Sequence, residues 1–150
     1  MRAALLLILL SATSWTDEGF GVWKLSPARS KLAGNHNSVT LRIEQHTRGE
    51  VFTLDTVADD GRASTFSTIL YLDGKARDFQ DFACSGTQSS RRVDGWTVEL
   101  LRKCANGGWT RFVRRLVAKP KELVLEITEE QTGGRRFEQH LVLERQDQSK

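Results

Sequence analysis

A chain of 150 residues with 39 % hydrophobic residues is long enough for one domain and shows no sign of several membrane spans. Its 22 Lys and Arg nearly balance 19 Asp and Glu, and the basic residues alternate with acidic ones along the chain. This pattern favours a solvated exterior over a basic patch, so we expect no nucleic-acid partner despite a pI of about 9.1.

The first 14 residues have the composition of a secretory signal peptide. Arg2 provides a short basic region, Ala3 to Leu10 an apolar region, and Ala12-Thr13-Ser14 the small residues of a cleavage site. The apolar run is far shorter than the roughly 20 residues that span a bilayer. We therefore expect a signal peptide over 1–14, a mature domain over 15–150, a secreted or periplasmic location and no stable membrane anchor.

The mature chain opens with an apolar run, Phe20 to Leu25, that predicts a strand with Trp23 buried. Ser26 and Pro27 then favour one short helical turn, because serine caps a helix and proline fits its first turn.

From Ser38 onward the chain alternates apolar and polar residues between glycine-containing turns, which is typical of half-buried strands in hairpins. The predicted strands begin at Ser38, Glu50, Ala63, Gly86, Trp96, Trp109, Leu123 and Arg135, with a short edge strand or loop between Ala76 and Ser85. No long crossover is visible, so a Greek-key sandwich is disfavoured. The sequence predicts an all-β, up-and-down antiparallel barrel of about ten strands with one short N-terminal helical turn.

Two short motifs near the N-terminus add a family resemblance. The segments Gly21-Val22-Trp23-Lys24-Leu25 and Pro27-Ala28-Arg29-Ser30-Lys31-Leu32, the Asp-Gly turns and the closing Leu143-Glu144-Arg145 resemble secreted bacterial lipocalin-like domains of the calycin group, of unassigned function. The resemblance covers nearly the whole mature chain. It implies a barrel floor closed by Trp23, with the guanidinium of Arg145 packed across the indole.

The only two cysteines, Cys84 and Cys104, predict a disulfide in a secreted chain. If Val93-Asp94-Gly95 forms a three-residue loop, Arg92 faces Trp96 and the two cysteines lie directly opposite each other. The further ligands of a zinc site are missing from the sequence around the pair.

The segment Trp109 to Val117 places an arginine inside the barrel whichever face is buried. One face carries Arg111 and Arg115, and the other carries Arg114. By analogy with fatty-acid carriers, we hypothesise that Arg111 or Arg115 anchors an anionic group of a ligand. The alternatives are an internal salt bridge, to an acidic residue such as Asp55 or Glu99, and an arginine that reaches solvent at the barrel mouth. The other predicted ligand-binding residues are Phe66, Trp96 and Phe112.

No residues with the spacing of a catalytic or metal site stand out. The histidines His36, His46 and His140 are expected at strand edges or on the outer face, and no two share metal-ligand spacing. The sequence has no nucleophile elbow, zinc-protease motif or phosphate loop, and Glu129-Glu130 is interpreted as a solvated pair. We therefore expect no catalytic residue, metal or cofactor.

The sequence favours a secreted lipocalin-like binding protein that holds a small apolar or amphipathic ligand, with an anionic head as one option. The alternative is a barrel filled by its own side chains that acts as a structural or protein-interaction module of the cell envelope. The large side chains that would fill it are Phe52, Phe66, Trp96, Phe112 and Phe137.

Overall fold

The computed structural model describes residues 19–34, 36–82, 84–117 and 121–146, without the side chains of residues 36 and 37. The predicted signal peptide, residues 1–14, lies outside these ranges and stays a prediction. Within them, no helix is both long and apolar enough to cross a membrane.

Ten strands and one 3₁₀ turn make up the regular structure of the described residues. The strands are β1 Gly21–Leu25, β2 His36–His46, β3 Gly49–Ala58, β4 Ala63–Leu70, β5 Arg77–Gln80, β6 Ser85–Arg92, β7 Thr97–Cys104, β8 Trp109–Val117, β9 Glu122–Glu130 and β10 Arg136–Arg145. The predicted turn is a 3₁₀ turn, Pro27–Arg29, that begins at the proline, although the Ser26 side chain makes no capping hydrogen bond.

The strands form one antiparallel sheet in the order β4-β3-β2-β1-β10-β9-β8-β7-β6-β5. Because β1 pairs with both β2 and β10, the two ends of the chain are joined and the sheet curls into a barrel. The edge strands are β4 and the four-residue β5, which leaves a seam between them. The predicted all-β, up-and-down barrel with one helical turn is confirmed.

The successive turns lie alternately at two ends of this meander. We call the end with the turns after β3, β5, β7 and β9 the mouth, and the opposite end the floor. Trp23 is completely buried, and its indole Nε1–H donates to the carbonyl of Gly19 over 3.0 Å. Arg145, its register partner on β10, holds its guanidinium 5.7 Å from the Trp23 ring centroid and donates to the carbonyl of Phe20.

Near the floor, a latch closes the seam between the edge strands; it consists of the residues after β4, 71–74, against Ser90 and Arg91 of β6. The N–H of Leu72 donates to Ser90 Oγ over 3.0 Å, and the N–H of Gly74 donates to the Ser90 carbonyl over 2.8 Å. Asp73 forms an antiparallel bridge with Arg91. The seam is therefore joined by backbone contacts near the floor.

The disulfide between Cys84 and Cys104 is confirmed, with their Cα atoms 5.7 Å apart. The register that predicted it is wrong. Arg92 pairs with Val98 rather than Trp96, because the connection is longer than three residues and Val93 N–H bonds to the Thr97 carbonyl. Cys104 consequently lies opposite Gly86, and the disulfide joins a diagonal pair.

Candidate functional site

The floor half of the barrel interior is filled by side chains. A void beside Phe52 and Phe112 measures about 10 Å³, which is too small for a ligand. Its lining residues are Phe52, Leu70, Val98, Leu100, Phe112, Arg114 and Leu125.

An ion pair lies within this filled half. Arg114 of β8 donates to the carboxylate of Glu50 at the start of β3, and both side chains are at most 2 % exposed. Arg92 approaches the other oxygen of Glu50 at 3.9 Å. Burial lowers the pKa of Arg114, and the charge of Glu50 opposes that shift. The inward arginine of β8 therefore forms an internal salt bridge.

The prediction that Arg111 or Arg115 lies inside the barrel is wrong. Both side chains are exposed on the outer face, because β8 buries Phe112, Arg114 and Leu116 instead. With this face inside, only the guanidinium of Arg114 needs a partner in the interior. With the opposite face inside, two buried guanidinium groups would need partners.

Arg111 belongs to an ion-pair cluster on the outer face, where it and Arg91 both donate to Glu99. Burial alone would raise the pKa of Glu99, but hydrogen bonds from Arg111 and Arg91 outweigh it and lower the pKa.

The mouth half, in contrast, contains a cleft of about 680 Å³ at the open part of the seam. We call it the seam cleft. Its apolar lining comes from Leu54, Phe66, Phe79 and Phe82, and its inner polar lining includes Gln88 and Arg102. The cleft is large enough for a small amphiphile.

An aromatic cluster separates the seam cleft from the filled half. The rings of Phe66 and Phe112 stack with centroids 5.5 Å apart, and Phe52 contacts both edge-on at 6.2 and 5.7 Å. The predicted residues Phe66 and Phe112 thus lie inside the barrel next to each other. Trp96 does not, since it is 47 % exposed in the turn before β7.

Arg102 of β7 is the cation of the seam cleft. Its guanidinium lies between two rings, 4.6 Å from the centroid of Phe66 on β4 and 3.8 Å from that of Phe79 on β5. Its Nη2 donates to Asp81 Oδ2 over 2.7 Å. Because Phe66 and Phe79 stand on the two edge strands, Arg102 joins them across the seam through side chains.

Gln88 of β6 stands beside this guanidinium, as the register partner of Arg102. Its amide Nε2 donates to Thr68 Oγ1 of β4 over 2.7 Å, a second side-chain contact across the seam. A smaller cleft of about 420 Å³ lies on the other side of Arg102; it includes Asp81, Glu129 and Glu130.

The sequence reasoning missed Glu50, Gln88 and Arg102 as interior residues, although two of them follow the buried face of their strands. Glu50 shares the parity of Phe52, and Arg102 shares that of Leu100. Apart from one arginine of β8, the sequence pattern places charged residues outside, whereas Glu50 and Arg102 lie on the inner face and each pairs with an opposite charge.

None of the described residues form a group of three or more His, Cys, Asp or Glu side chains that could hold a metal ion. His140 contacts Glu126 at 3.2 Å through Nδ1, and His46 Nδ1 accepts from the N–H of Arg48. The side chain of His36 lies outside the described part of the chain.

No family model and no curated protein matches this sequence. Among solved structures, the chain matches a Schistosoma mansoni fatty acid binding protein in complex with arachidonic acid, with a TM-score of 0.56 and 12 % identity. The match covers 88 % of this chain and 98 % of that one. At this identity the likeness concerns the fold alone, an antiparallel β-barrel.

Proposed function

We propose that this protein binds a small apolar or amphipathic molecule in the mouth half of its barrel. The observation that carries the proposal is the seam cleft, whose apolar walls lead inward to Phe66 and Phe112. The fatty acid binding protein with the same fold was solved with a bound lipid, which supports the class of ligand. The role is that of a binding protein rather than an enzyme.

The filled floor half limits how deep a ligand reaches. With a void of only about 10 Å³ beyond the aromatic cluster, an alkyl chain stops at Phe112 and leaves its remainder in the open cleft. An anionic head has no support from Arg111 or Arg115, which lie outside. The inward arginines Arg114 and Arg102 already contact Glu50 and Asp81.

We further propose that the protein works outside the cytoplasm. The Cys84–Cys104 disulfide is consistent with an oxidising compartment, as is the expected signal peptide over 1–14.

Calorimetric titration with a series of 1-alkanols from hexanol to dodecanol tests the proposed function. Each added methylene strengthens binding by up to ~0.8 kcal/mol while it is buried, so affinity rises with chain length and then levels off at the aromatic cluster. Phe66→Ser, in the cleft, weakens binding at least about tenfold because it removes apolar contact surface. Leu101→Ser, a half-buried apolar residue on the outer face of β7, serves as the control and leaves affinity unchanged.

The second candidate is a filled structural or protein-interaction barrel of the cell envelope. It is favoured by the buried side chains that fill the floor half and by the fully exposed Phe82 at the mouth. Saturable alkanol binding that Phe66→Ser weakens would exclude this candidate. An absence of binding across the whole series would reject the first proposal in its favour.

A further inference from the structure

Two polar atoms next to the seam cleft are buried and lack partners. In the described part of the chain, neither Nε of Arg102 nor Oε1 of Gln88 has a hydrogen-bond partner. The two residues are register partners on adjacent strands, and their side chains both line the seam cleft. Buried polar groups are nearly always hydrogen-bonded, so an unpartnered donor and an unpartnered acceptor on two residues that line one cleft point to a ligand group.

The charge of Arg102 is already matched by a carboxylate that its surroundings hold in place. Asp81 Oδ1 accepts from the N–H of Cys84 over 3.0 Å, while the N–H of Asp81 donates to the Cys84 carbonyl over 3.0 Å. The disulfide then fixes Cys84 to Cys104, two residues from Arg102 on the same strand. An incoming anion would have to displace this tethered carboxylate.

The smaller cleft on the far side of Arg102 adds to the negative charge. Glu129 and Glu130 line it together with Asp81. An anionic head next to Arg102 would therefore add a negative charge beside Asp81, on the side of the barrel where Glu129 and Glu130 also lie, whereas a neutral head would meet a compensated pair.

The buried atoms without a partner are a donor, the Nε–H of Arg102, and an acceptor, the Oε1 of Gln88. A hydroxyl satisfies both, because it accepts from Nε–H and donates to Oε1 at the same time. An ionised carboxylate accepts but has no proton to donate, and the same holds for an ether or an ester.

We infer that the ligand carries a neutral hydroxyl head, which binds between Arg102 Nε and Gln88 Oε1, while its apolar body lies against Phe66 and Phe112. This inference rests on the proposed function and specifies its ligand class as alcohols rather than fatty acids. Asp81 keeps its contact with Arg102 when the ligand binds.

Calorimetry with three probes that share a straight ten-carbon chain tests the inference: 1-decanol, decyl methyl ether and decanoate at pH 8. Decanol is expected to bind about five- to tenfold more tightly than the ether, because only decanol donates to Gln88. Decanoate is expected to bind at least about tenfold more weakly than decanol, because it adds a charge beside Asp81.

Gln88→Met removes the acceptor at similar size and is expected to abolish the preference for decanol over the ether. Gln45→Met, the same change at an exposed position on β2, leaves the preference intact. Arg102→Lys is a second variant; it keeps the charge and removes the Nε donor, so it weakens decanol binding. If either cleft variant fails to fold, the comparison of the three probes on the unaltered protein still tests the inference.

Equal affinities for all three probes would overturn the inference and leave the proposed function standing. Tighter binding of decanoate would also overturn it, and would mean that an anionic head displaces Asp81. If none of the probes binds, both the proposed function and the inference are rejected.

Discussion

Glu50 and Arg114 form an ion pair in the filled floor half, behind the aromatic cluster that would end the proposed binding region. They occupy interior positions where a ligand-binding barrel would leave space, and each compensates the charge of the other. A buried pair of this kind adds little net stability, since the cost of desolvating both ions offsets their attraction, but a single buried ion is very unfavourable.

Removing one partner is therefore expected to be far worse than removing both. Arg114→Met alone should lower the free energy of unfolding by about 3–5 kcal/mol, while the double variant Glu50→Leu/Arg114→Met should recover most of the loss. Urea denaturation measures both values. Arg42→Met is the control, because it breaks an exposed pair with Asp55 and should cost less than about 1 kcal/mol. A double variant as unstable as the single one would contradict this account.

Among the strands, the β6–β7 hairpin shows how one glycine determines local geometry. A Cβ at Gly86 would lie 1.9 Å from the carbonyl oxygen of Lys103, so any side chain there forces the backbones apart. This close approach occurs beside the disulfide and one strand away from β5, which carries Phe79 into the seam cleft.

Gly86→Ala is accordingly expected to lower the free energy of unfolding by about 1–3 kcal/mol, through overpacking against β7. Gly95→Ala, in the turn of the same hairpin, has no neighbour within 4 Å of its added Cβ and should change stability by less than about 0.5 kcal/mol. The urea midpoints of the two variants compare them directly. Equal midpoints would show that the strands separate there at no cost.

The latch near the floor contains a carboxylate that makes stability depend on pH. A side-chain hydrogen bond from Arg77 and a backbone hydrogen bond from Lys75 hold the pKa of Asp73 well below its ordinary value. Because the pKa of Asp73 is lower in the folded chain, its ionised carboxylate stabilises the fold. This contribution to the free energy of unfolding is complete above the unfolded pKa of about 4 and is lost as the pH falls through the folded pKa.

Stability should thus decrease below about pH 4, and part of this decrease should disappear in Asp73→Asn. Thermal melting at pH 7 and at pH 2.5 gives the difference in Tm for each protein. Asp60→Asn is the control, because Asp60 lies in the exposed turn after β3 and its carboxylate pairs with the exposed Arg62. If the Tm of Asp73→Asn falls between pH 7 and pH 2.5 by as much as that of the unaltered chain, Asp73 does not contribute to the pH dependence.

For the whole molecule, alternation and turns predicted most of the fold. Period-two patterns identified the hairpins because burial on one face imposes that period. They also indicated a short edge strand or loop between Ala76 and Ser85, where charges interrupt the alternation, and the structure has the edge strand β5 there. The sequence could not predict that the seam opens between β4 and β5, because pairing across a barrel depends on contacts far apart in the chain.

The interior arginines were harder to predict for a different reason. The alternation of β8 is compatible with either face pointing into the barrel. Which face is buried depends on Glu50, the partner of Arg114, which lies more than 60 residues away in the sequence. The environment of Arg102 likewise combines β4, β5 and β7, so no local pattern reveals it. The compartment and the cysteine count predict the disulfide correctly, whereas the register predicted for its hairpin is wrong.

The most direct measurement of the central claim is a ¹⁵N-¹H NMR titration of the protein with 1-decanol. We expect saturable changes in backbone amide chemical shift, centred on Phe66, Phe79, Gln88 and Arg102. The amide shift of Glu50, in the filled half, should stay unchanged. An absence of saturable shifts, or shifts centred on the floor or the outer face, would contradict a ligand site in the mouth half of the barrel.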